Sequence, residues 1–459
     1  MIKDNSIFRG ELEKANNFWF SERVEEEKKY PVKREELGEI KEYLKLKKIS
    51  VISGPRRCGK SVIIKHLISE LIKKGVKPRN ILYYSLEDPY LKIYCDNLIH
   101  DSFDYWNKNI SQEGEKYVFY DEIHFIDKWY EWLKVLYDKN KEIKIVISGS
   151  SSLNMQQEVN KYLRGRYILH HIWPLSFKQF LKFKGKEIKN IDFNQLNQFE
   201  ASKLMLDYEK DFREFLIVGG FPEYLEIKDK KKWFEILKSF VSNKSIYEDI
   251  ATTFKIRNVK ILEEIFLYII SNQSKILSYE KINEIAKLKH EILLNYIEYL
   301  KFSNLIIEIL KYSGNIKEQL KSKKKFLCVD QGLRNSLLKV YEIREDNEGA
   351  LIENIVGVHC YVQAFKKEEK IMYYRTDKTY EEVDFVVKND KNILIEAKYR
   401  EKISDEYISK IIKISKDIGF KKVYIVTKDE LKTIKKDDIE VVLMPALIFC
   451  LFIEKFIYG

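Results

Sequence analysis

Apolar positions along the chain change their spacing several times, and each change predicts a different element. Residues 49–53 (ISVIS) form a short β-branched run, the pattern of a strand in a buried parallel sheet. Residues 62–68 follow with helical spacing, and apolar runs at 80–86, 117–120 and 144–147 predict three more strands. From 174 to about 255 the spacing is helical. It breaks at Gly219-Gly220-Phe221-Pro222, where two glycines, an aromatic ring and a proline predict a rigid turn. Three short amphipathic helices are expected over 259–311, and those at 279–286 and 290–300 flank a brief turn, as in a winged helix-turn-helix. Farther on, the pattern predicts a helix at 349–359 and strands at 371–374, 383–387 and 393–395. The uncharged run 441–453 is interrupted by Pro445 and is too short to span a bilayer, so it reads as a buried strand and helix.

Composition narrows the class. At 459 residues the chain is too long for one ordinary core, and two to four domains are expected. An apolar fraction of 45% fits a globular protein. The net charge of +11 favours contact with nucleic acid or another polyanion, although a Lys- and Ile-rich composition alone produces the same surplus. Cys58, Cys95, Cys328, Cys360 and Cys450 are scattered, with neither zinc-ligand spacing nor a disulfide framework, which predicts reduced thiols in the cytosol. Charges near the N-terminus stand where a signal peptide needs an apolar stretch. A soluble, cytoplasmic chain with no membrane partner is expected.

The first strand and helix enclose Gly54-Pro55-Arg56-Arg57-Cys58-Gly59-Lys60-Ser61, followed by Val62. Strand, glycine-rich loop, then helix is the context a Walker A motif requires. The glycines let the backbone curl so that its N–H groups face phosphate, beside a helix N-terminus that favours anions. ATP with magnesium is therefore the expected ligand. Lys60 would bridge the β- and γ-phosphates and Ser61 would ligate the ion. The run 117–120 ends in Asp121-Glu122, the Walker B pattern. Asp121 would hold magnesium through water and Glu122 would polarise the attacking water. The strand at 144–147 ends in Ser148, placed as a sensor of the γ-phosphate if an extra strand lies between the two Walker strands; otherwise Ser148 and its small neighbours form a tight turn. Arg164 and Arg166 stand where an arginine finger would act. Acting on a neighbouring subunit, they would require a homo-oligomer; a solvated basic turn is the other reading.

The ordered series GPRRCGKS, YDEIH, ISGSSS, LRGRY, WPLSFKQFL and VGGFPEYL, then KKKFLCVDQGLRN, GALIENIV, EEVDFVV and ILIEAK, resembles a family of prokaryotic predicted AAA+-superfamily ATPases. In that family the ATPase domain is joined to a C-terminal region of uncharacterised function with nuclease-like sequence.

The C-terminal residues carry chemistry of their own. Glu353 lies on the expected helix, Asp384 and Glu396 on expected strands, and Lys398 two residues beyond Glu396, hence on the same strand face. Two carboxylates that converge where strands diverge suit one magnesium or manganese ion. Lys398 would orient water or stabilise a pentavalent phosphate, and Glu353 would assist the metal or position Lys398. Helix–strand–strand–strand with Glu, Asp and Glu-x-Lys is similar to the core of the PD-(D/E)xK nuclease superfamily. In the middle of the chain, the helix at 290–300 offers His290 and Asn295, with Lys287, Lys289 and Lys301 nearby, but also Glu291 and Glu298. DNA binding and protein docking both stay open there. The basic stretch 317–325 (KEQLKSKKK) reads as a wing, a strand-edge patch or a solvated loop.

The fold class expected from these residues and resemblances is α/β: a P-loop NTPase parallel sheet, then a helical and winged-helix region, then a restriction-endonuclease-like α/β domain. The expected boundaries are an N-terminal helical segment at 1–40, the AAA+-like ATPase domain at 41–173, a helical lid or linker at 174–257, the winged-helix-like domain at 258–325 and the nuclease-like domain at 326–459. The expected function is ATP hydrolysis coupled to binding or cleavage of DNA or RNA. The alternative is a nucleotide-switched docking protein with an inactive nuclease-like domain.

Overall fold

Strand β1 (Ile49–Gly54), buried along its length, lies in a five-stranded sheet of order β2-β3-β4-β1-β5. Its companions are β2 (Ile81–Ser85), β3 (Lys116–Asp121), β4 (Ile143–Ser150) and β5 (Tyr167–His171). All pairings are parallel, as the near-continuous apolar runs require. The computed structural model describes residues 5–88, 93, 95, 97–140, 142–150, 153–189, 191, 193, 196–241, 246, 250–251, 256, 258–376 and 381–459. They fall into two compact units, Met1–Trp173 and Pro174–Gly459.

In the first unit, β4 separates β1 from β3, so the ends of three strands meet beside the loop that follows β1. The helix Lys60–Lys73 continues that loop and buries Ile63, Ile64, Leu67 and Ile68, an i, i+1, i+4, i+5 stripe. Residues before β1 close the exposed edge of the sheet. Tyr83 of β2 donates its N–H to Asn16 Oδ1 at 2.7 Å, and Asn16 Nδ2 returns a bond to the Tyr83 carbonyl at 2.8 Å. Trp19 Nε1 donates to the Ile81 carbonyl at 2.6 Å. Backbone groups that would otherwise invite another strand are thereby satisfied.

The second unit is built on a nine-stranded sheet of order β13-β14-β12-β11-β10-β9-β7-β8-β6. These are β6 (Ile276–Leu277), β7 (Ile306–Lys311), β8 (Lys324–Cys328), β9 (Ile371–Arg375), β10 (Glu382–Val387), β11 (Ile393–Ala397), β12 (Lys422–Thr427), β13 (Lys432–Lys436) and β14 (Ile439–Pro445). Strands β7 and β9 pair in parallel through Leu310 with Met372 and Lys311 with Tyr373. The boundary expected at 325/326 therefore falls inside β8, within one continuous sheet; residue 257, the other internal boundary of this unit, lies outside the described residues. The helix Asp405–Ile418 starts at Ser404, whose side chain accepts the Tyr407 N–H, and lays Ile408, Ile411 and Ile412 into a core with Val423, Ile425, Val441 and Leu443. The uncharged run 441–453 is the end of β14 and the start of the buried helix Ala446–Tyr458. Among the described residues, no helix is long and apolar enough to cross a membrane.

The basic stretch 317–325 is neither a solvated loop nor an exposed edge at its C-terminal end. It forms the helix Ile316–Lys321 and the start of β8, where Lys324 and Lys325 are buried. Lys324 Nζ donates to the carbonyls of Gln319 and Leu320 at 3.0 and 2.7 Å, satisfying the end of that helix. Lys325 is held by carboxylates, described below.

Candidate functional site

The chain leaves β1 at Gly54, whose φ of 152° and close approach to the neighbouring strand leave no room for a side chain: a Cβ there would lie 2.2 Å from the Ile172 carbonyl oxygen. The turn continues through Arg57 at φ 67° and Gly59 at φ 88°, and the helix begins at Lys60. Pro55, Arg56, Cys58 and Val62 complete the loop and first turn, with Cys58 fully buried beneath it. The Lys60 ammonium is turned back onto the loop, donating to the Gly54 and Pro55 carbonyls at 3.2 and 3.1 Å. Buried, and among the described residues without a closer carboxylate than Glu122 at 3.9 Å, it suits an anion at the helix N-terminus.

Strand β3 delivers Asp121 and Glu122 to the same place. Asp121 is buried and gathers the hydroxyls of Ser148, Ser61 and Tyr83, the last at 3.3 Å. Burial raises its pKa, the Glu122 charge adds to that, and Ser148, Ser61 and Lys60 pull it back. Glu122 leaves the strand in a left-handed conformation (φ 51°), donating its N–H to Ser148 Oγ at 3.2 Å. Its carboxylate faces Lys60 on one side and His124 Nδ1, at 3.3 Å, on the other. Ser148, two residues before the end of β4, thus touches both acidic residues. Lys60, Ser61, Asp121, Glu122 and Ser148 are brought together.

Arg164 and Arg166 are not part of this group. The Ile49 N–H donates to the Arg166 carbonyl at 2.8 Å, which places both arginines at the start of β5, beside the start of β1. The loop lies at the other end of the strands, about 15 Å away at 3.3 Å per residue. Arg164 is exposed, and Arg166 Nε pairs with Asp138 at 3.1 Å. What β5 brings to the loop is His171, opposite Ser53. Burial, with the Lys60 charge nearby, pushes His171 down to about 3, so it is neutral. Tyr83, His124 and His171 were missing from the sequence reading; only His124 carried a signal, its position two residues after Glu122.

In the second unit, Glu353 of the helix Glu345–Lys366, Asp384 of β10 and Glu396 of β11 converge. Asp384 donates its N–H to Glu396 Oε2 at 3.1 Å and accepts the Ala397 N–H at 2.9 Å. The Tyr407 hydroxyl bonds the other Glu396 oxygen. Burial first, then the Asp384 charge, pushes Glu396 up to about 8, and the same two causes raise Glu353. Lys398 forms no ion pair with them among the described residues: it follows the end of β11, and its ammonium sits 4.8 Å over the ring of Tyr407. The lysine inside the cluster is Lys325 of β8. Its Nζ lies 2.8 Å from Glu353, 2.9 Å from Asp384 and 3.2 Å from Glu382. Burial opposes its charge, but Asp384, Glu353 and Glu382 more than offset that and hold its pKa well above the usual lysine value. Of the pair expected to ligate a divalent ion, Asp384 already holds this ammonium and the Ala397 N–H, and Glu396 holds the Asp384 N–H and the Tyr407 hydroxyl, so such an ion does not fit the cluster.

The residues of the loop and of the strand ends beside it do fit a nucleoside triphosphate with its metal: a left-handed glycine turn, a buried ammonium and a buried carboxylate beside three hydroxyls. Comparison with known proteins agrees on the domain. Residues 46–181 match the family model described as an AAA domain; 209–343 and 348–447 match two domains of unknown function. The uncharacterized protein MJ1544 of Methanocaldococcus jannaschii is 31% identical over 364 residues, 77% of this chain and 75% of that protein. An uncharacterized protein of Haemophilus influenzae is 27% identical over 355 residues, 75% of this chain and 81% of the other. Among solved structures, the Walker-type ATPase paby2304 of Pyrococcus abyssi matches with a TM-score of 0.41 and 16% identity, over 66% of this chain and 95% of that one. The chain belongs to the family of Methanocaldococcus jannaschii MJ1544, and its first unit carries the AAA-type P-loop ATPase domain.

Proposed function

We propose that the chain binds ATP with magnesium at the loop 54–62 and hydrolyses it. The observation that carries this is the position of Ser148, one hydroxyl bonded to both the Asp121 carboxylate and the Glu122 N–H, with Lys60 3.9 Å from the Glu122 carboxylate. Gly54 to Val62 and Lys60 hold the phosphates, and Ser61 and Asp121 hold the ion. When bound, magnesium neutralises charge on the transferring phosphoryl group. Glu122 polarises the attacking water, while Ser148 fixes Glu122 relative to Asp121. Magnesium-dependent phosphate release tests this, with Lys60→Ala as control; equal release by the variant would remove the assignment.

Arg164 and Arg166, at the far end of the strands from their own loop, act in this proposal only on a neighbouring copy, in a homo-oligomer. Turnover regained on mixing Lys60→Ala chains with chains carrying both Arg164→Ala and Arg166→Ala supports that. No recovery counts against it.

For the second unit, the order helix Val259–Ser271, β6, helices Tyr279–Ala286 and His290–Phe302, then β7 and β8 supports a winged helix. Lys287, Lys289, His290 and Asn295 are exposed on it, as nucleic acid would require, with Glu291 exposed among them. Cleavage of DNA or RNA with magnesium or manganese at Glu353, Asp384, Glu396 and Lys398, the first reading of the remainder from its sequence, is disfavoured by the ion-paired cluster. A nucleotide-switched docking protein with an inactive nuclease-like domain is the second, and Lys325 inside the carboxylate cluster favours it. Metal-dependent cleavage that Asp384→Ala abolishes would restore the first.

A further inference from the structure

We infer that Lys325 is the resident cation of the C-terminal carboxylate cluster, its ammonium bridging Glu353 and Asp384 and so holding one of the two carboxylates a divalent ion would need, so that the cluster is an ion-paired core and not a metal centre. An ammonium has three N–H donors, and three carboxylates, those of Glu353, Glu382 and Asp384, lie within 3.2 Å of this one. Lys325 has no exposed surface, and it reaches the cluster from β8 while its partners come from a long helix and from β10. The ion pairs therefore join three elements of the unit at one point.

Three more oxygens of the cluster, one of Asp384 and both of Glu396, have protein donors. Asp384 Oδ2 accepts the Ala397 N–H, Glu396 Oε2 the Asp384 N–H, and Glu396 Oε1 the Tyr407 hydroxyl. A divalent ion entering here would meet a fixed positive charge within about 4 Å in a buried setting, where like charges repel strongly. Displacing that charge would leave a buried, unpaired ammonium. Lys398, 4.8 Å over the Tyr407 ring, does not share the position. The inference deepens the second reading of the C-terminal unit and is independent of ATP hydrolysis. Its test is made without nucleotide, so failure of the ATPase proposal leaves it standing.

The test is Mn2+ binding to the nucleotide-free full-length chain, followed by electron paramagnetic resonance, for the wild type, Asp384→Asn, Lys325→Met and the double variant. Wild type and Asp384→Asn are expected to bind alike. Lys325→Met is expected to gain one site, at least about tenfold tighter than any at this cluster in the wild type, and lost again in the double variant. A wild-type site that Asp384→Asn removes would overturn the inference. So would a folded Lys325→Met chain, with native circular dichroism and a cooperative melt, that gains no site. If Lys325→Met does not fold, the wild type decides against Asp384→Asn and Glu353→Gln: a Mn2+ site lost in both overturns the inference, and unchanged binding supports it.

Discussion

Gly220 donates its backbone N–H to the Asp330 carboxylate at 2.6 Å, joining positions 110 residues apart. The same carboxylate accepts the Leu333 N–H at 3.2 Å, capping the helix Gln331–Leu338. Glycine is required on both sides of this joint. A Cβ at Gly219 would lie 2.1 Å from Asp330 Oδ1, one at Gly220 2.3 Å from the Leu175 carbonyl oxygen, and one at Gly332 2.2 Å from the Val218 carbonyl oxygen. The segments VGGFP and VDQGL are two halves of one contact.

Substituting Gly220 or Gly332 by alanine should therefore destabilise the second unit by about 2–4 kcal/mol, because backbone must move to admit the methyl group. Urea denaturation of the variants measures it; a loss below about 0.5 kcal/mol, the range of neutral surface changes, would contradict the account.

Asp330 also sets a pH dependence. Burial pushes its carboxyl up to about 6 from 3.8, against the pull of the Gly220, Leu333 and Gly332 N–H groups. Below 3.8 both folded and unfolded chains hold the proton. As pH rises, the unfolded chain releases it first, so stability falls between about pH 4 and pH 6 and is then level. The loss is on the order of 2–3 kcal/mol. Denaturation midpoints of wild type and Asp330→Asn over that window should diverge by this trend, with the asparagine variant lacking it. Parallel curves would rule it out.

Ser148→Ala leaves the buried Asp121 carboxylate without one donor and the Glu122 N–H without its acceptor. Turnover should fall by about tenfold or more, through loss of the fixed Glu122 geometry. Nucleotide affinity should change by less than about threefold, since Lys60 and the loop amides are untouched. A loss of affinity as large as the loss of turnover would show that Ser148 acts in binding and not in the chemical step.

Much of this arrangement was legible in the chain. The loop 54–61 and its helix are local, fixed by glycines and apolar spacing within one stretch, and β3, β4, β10 and β11 announce themselves as apolar runs ending in polar residues. What could not be read depends on register between distant segments. Arg164 and Arg166 precede β5 by a few residues, and only the parallel pairing of Tyr167 with Ile49 shows that they stand at the far end from the loop. Lys325 closes a run of lysines that looks solvated. Its burial becomes reasonable only when the helix carrying Glu353 and the strand carrying Glu382 and Asp384 are folded onto β8. The Gly219-Gly220 break looked like a turn for its own sake until Asp330 was placed against it.

Gly54→Ala tests the loop's own geometry. At φ 152° and 2.2 Å from the Ile172 carbonyl oxygen, the methyl group would push β5 from β1. Loss of nucleotide binding together with a cost of about 2 kcal/mol or more in stability is expected. Unchanged values in both would mean that the strand ends tolerate movement.

Phosphate release from ATP with magnesium, measured on the wild type, Lys60→Ala and Glu122→Gln together with nucleotide binding, tests the central proposal most directly. The wild type should turn over, Lys60→Ala should neither bind nor release, and Glu122→Gln should bind ATP and hold it unhydrolysed. Release by Lys60→Ala at the wild-type rate would contradict the assignment of this loop.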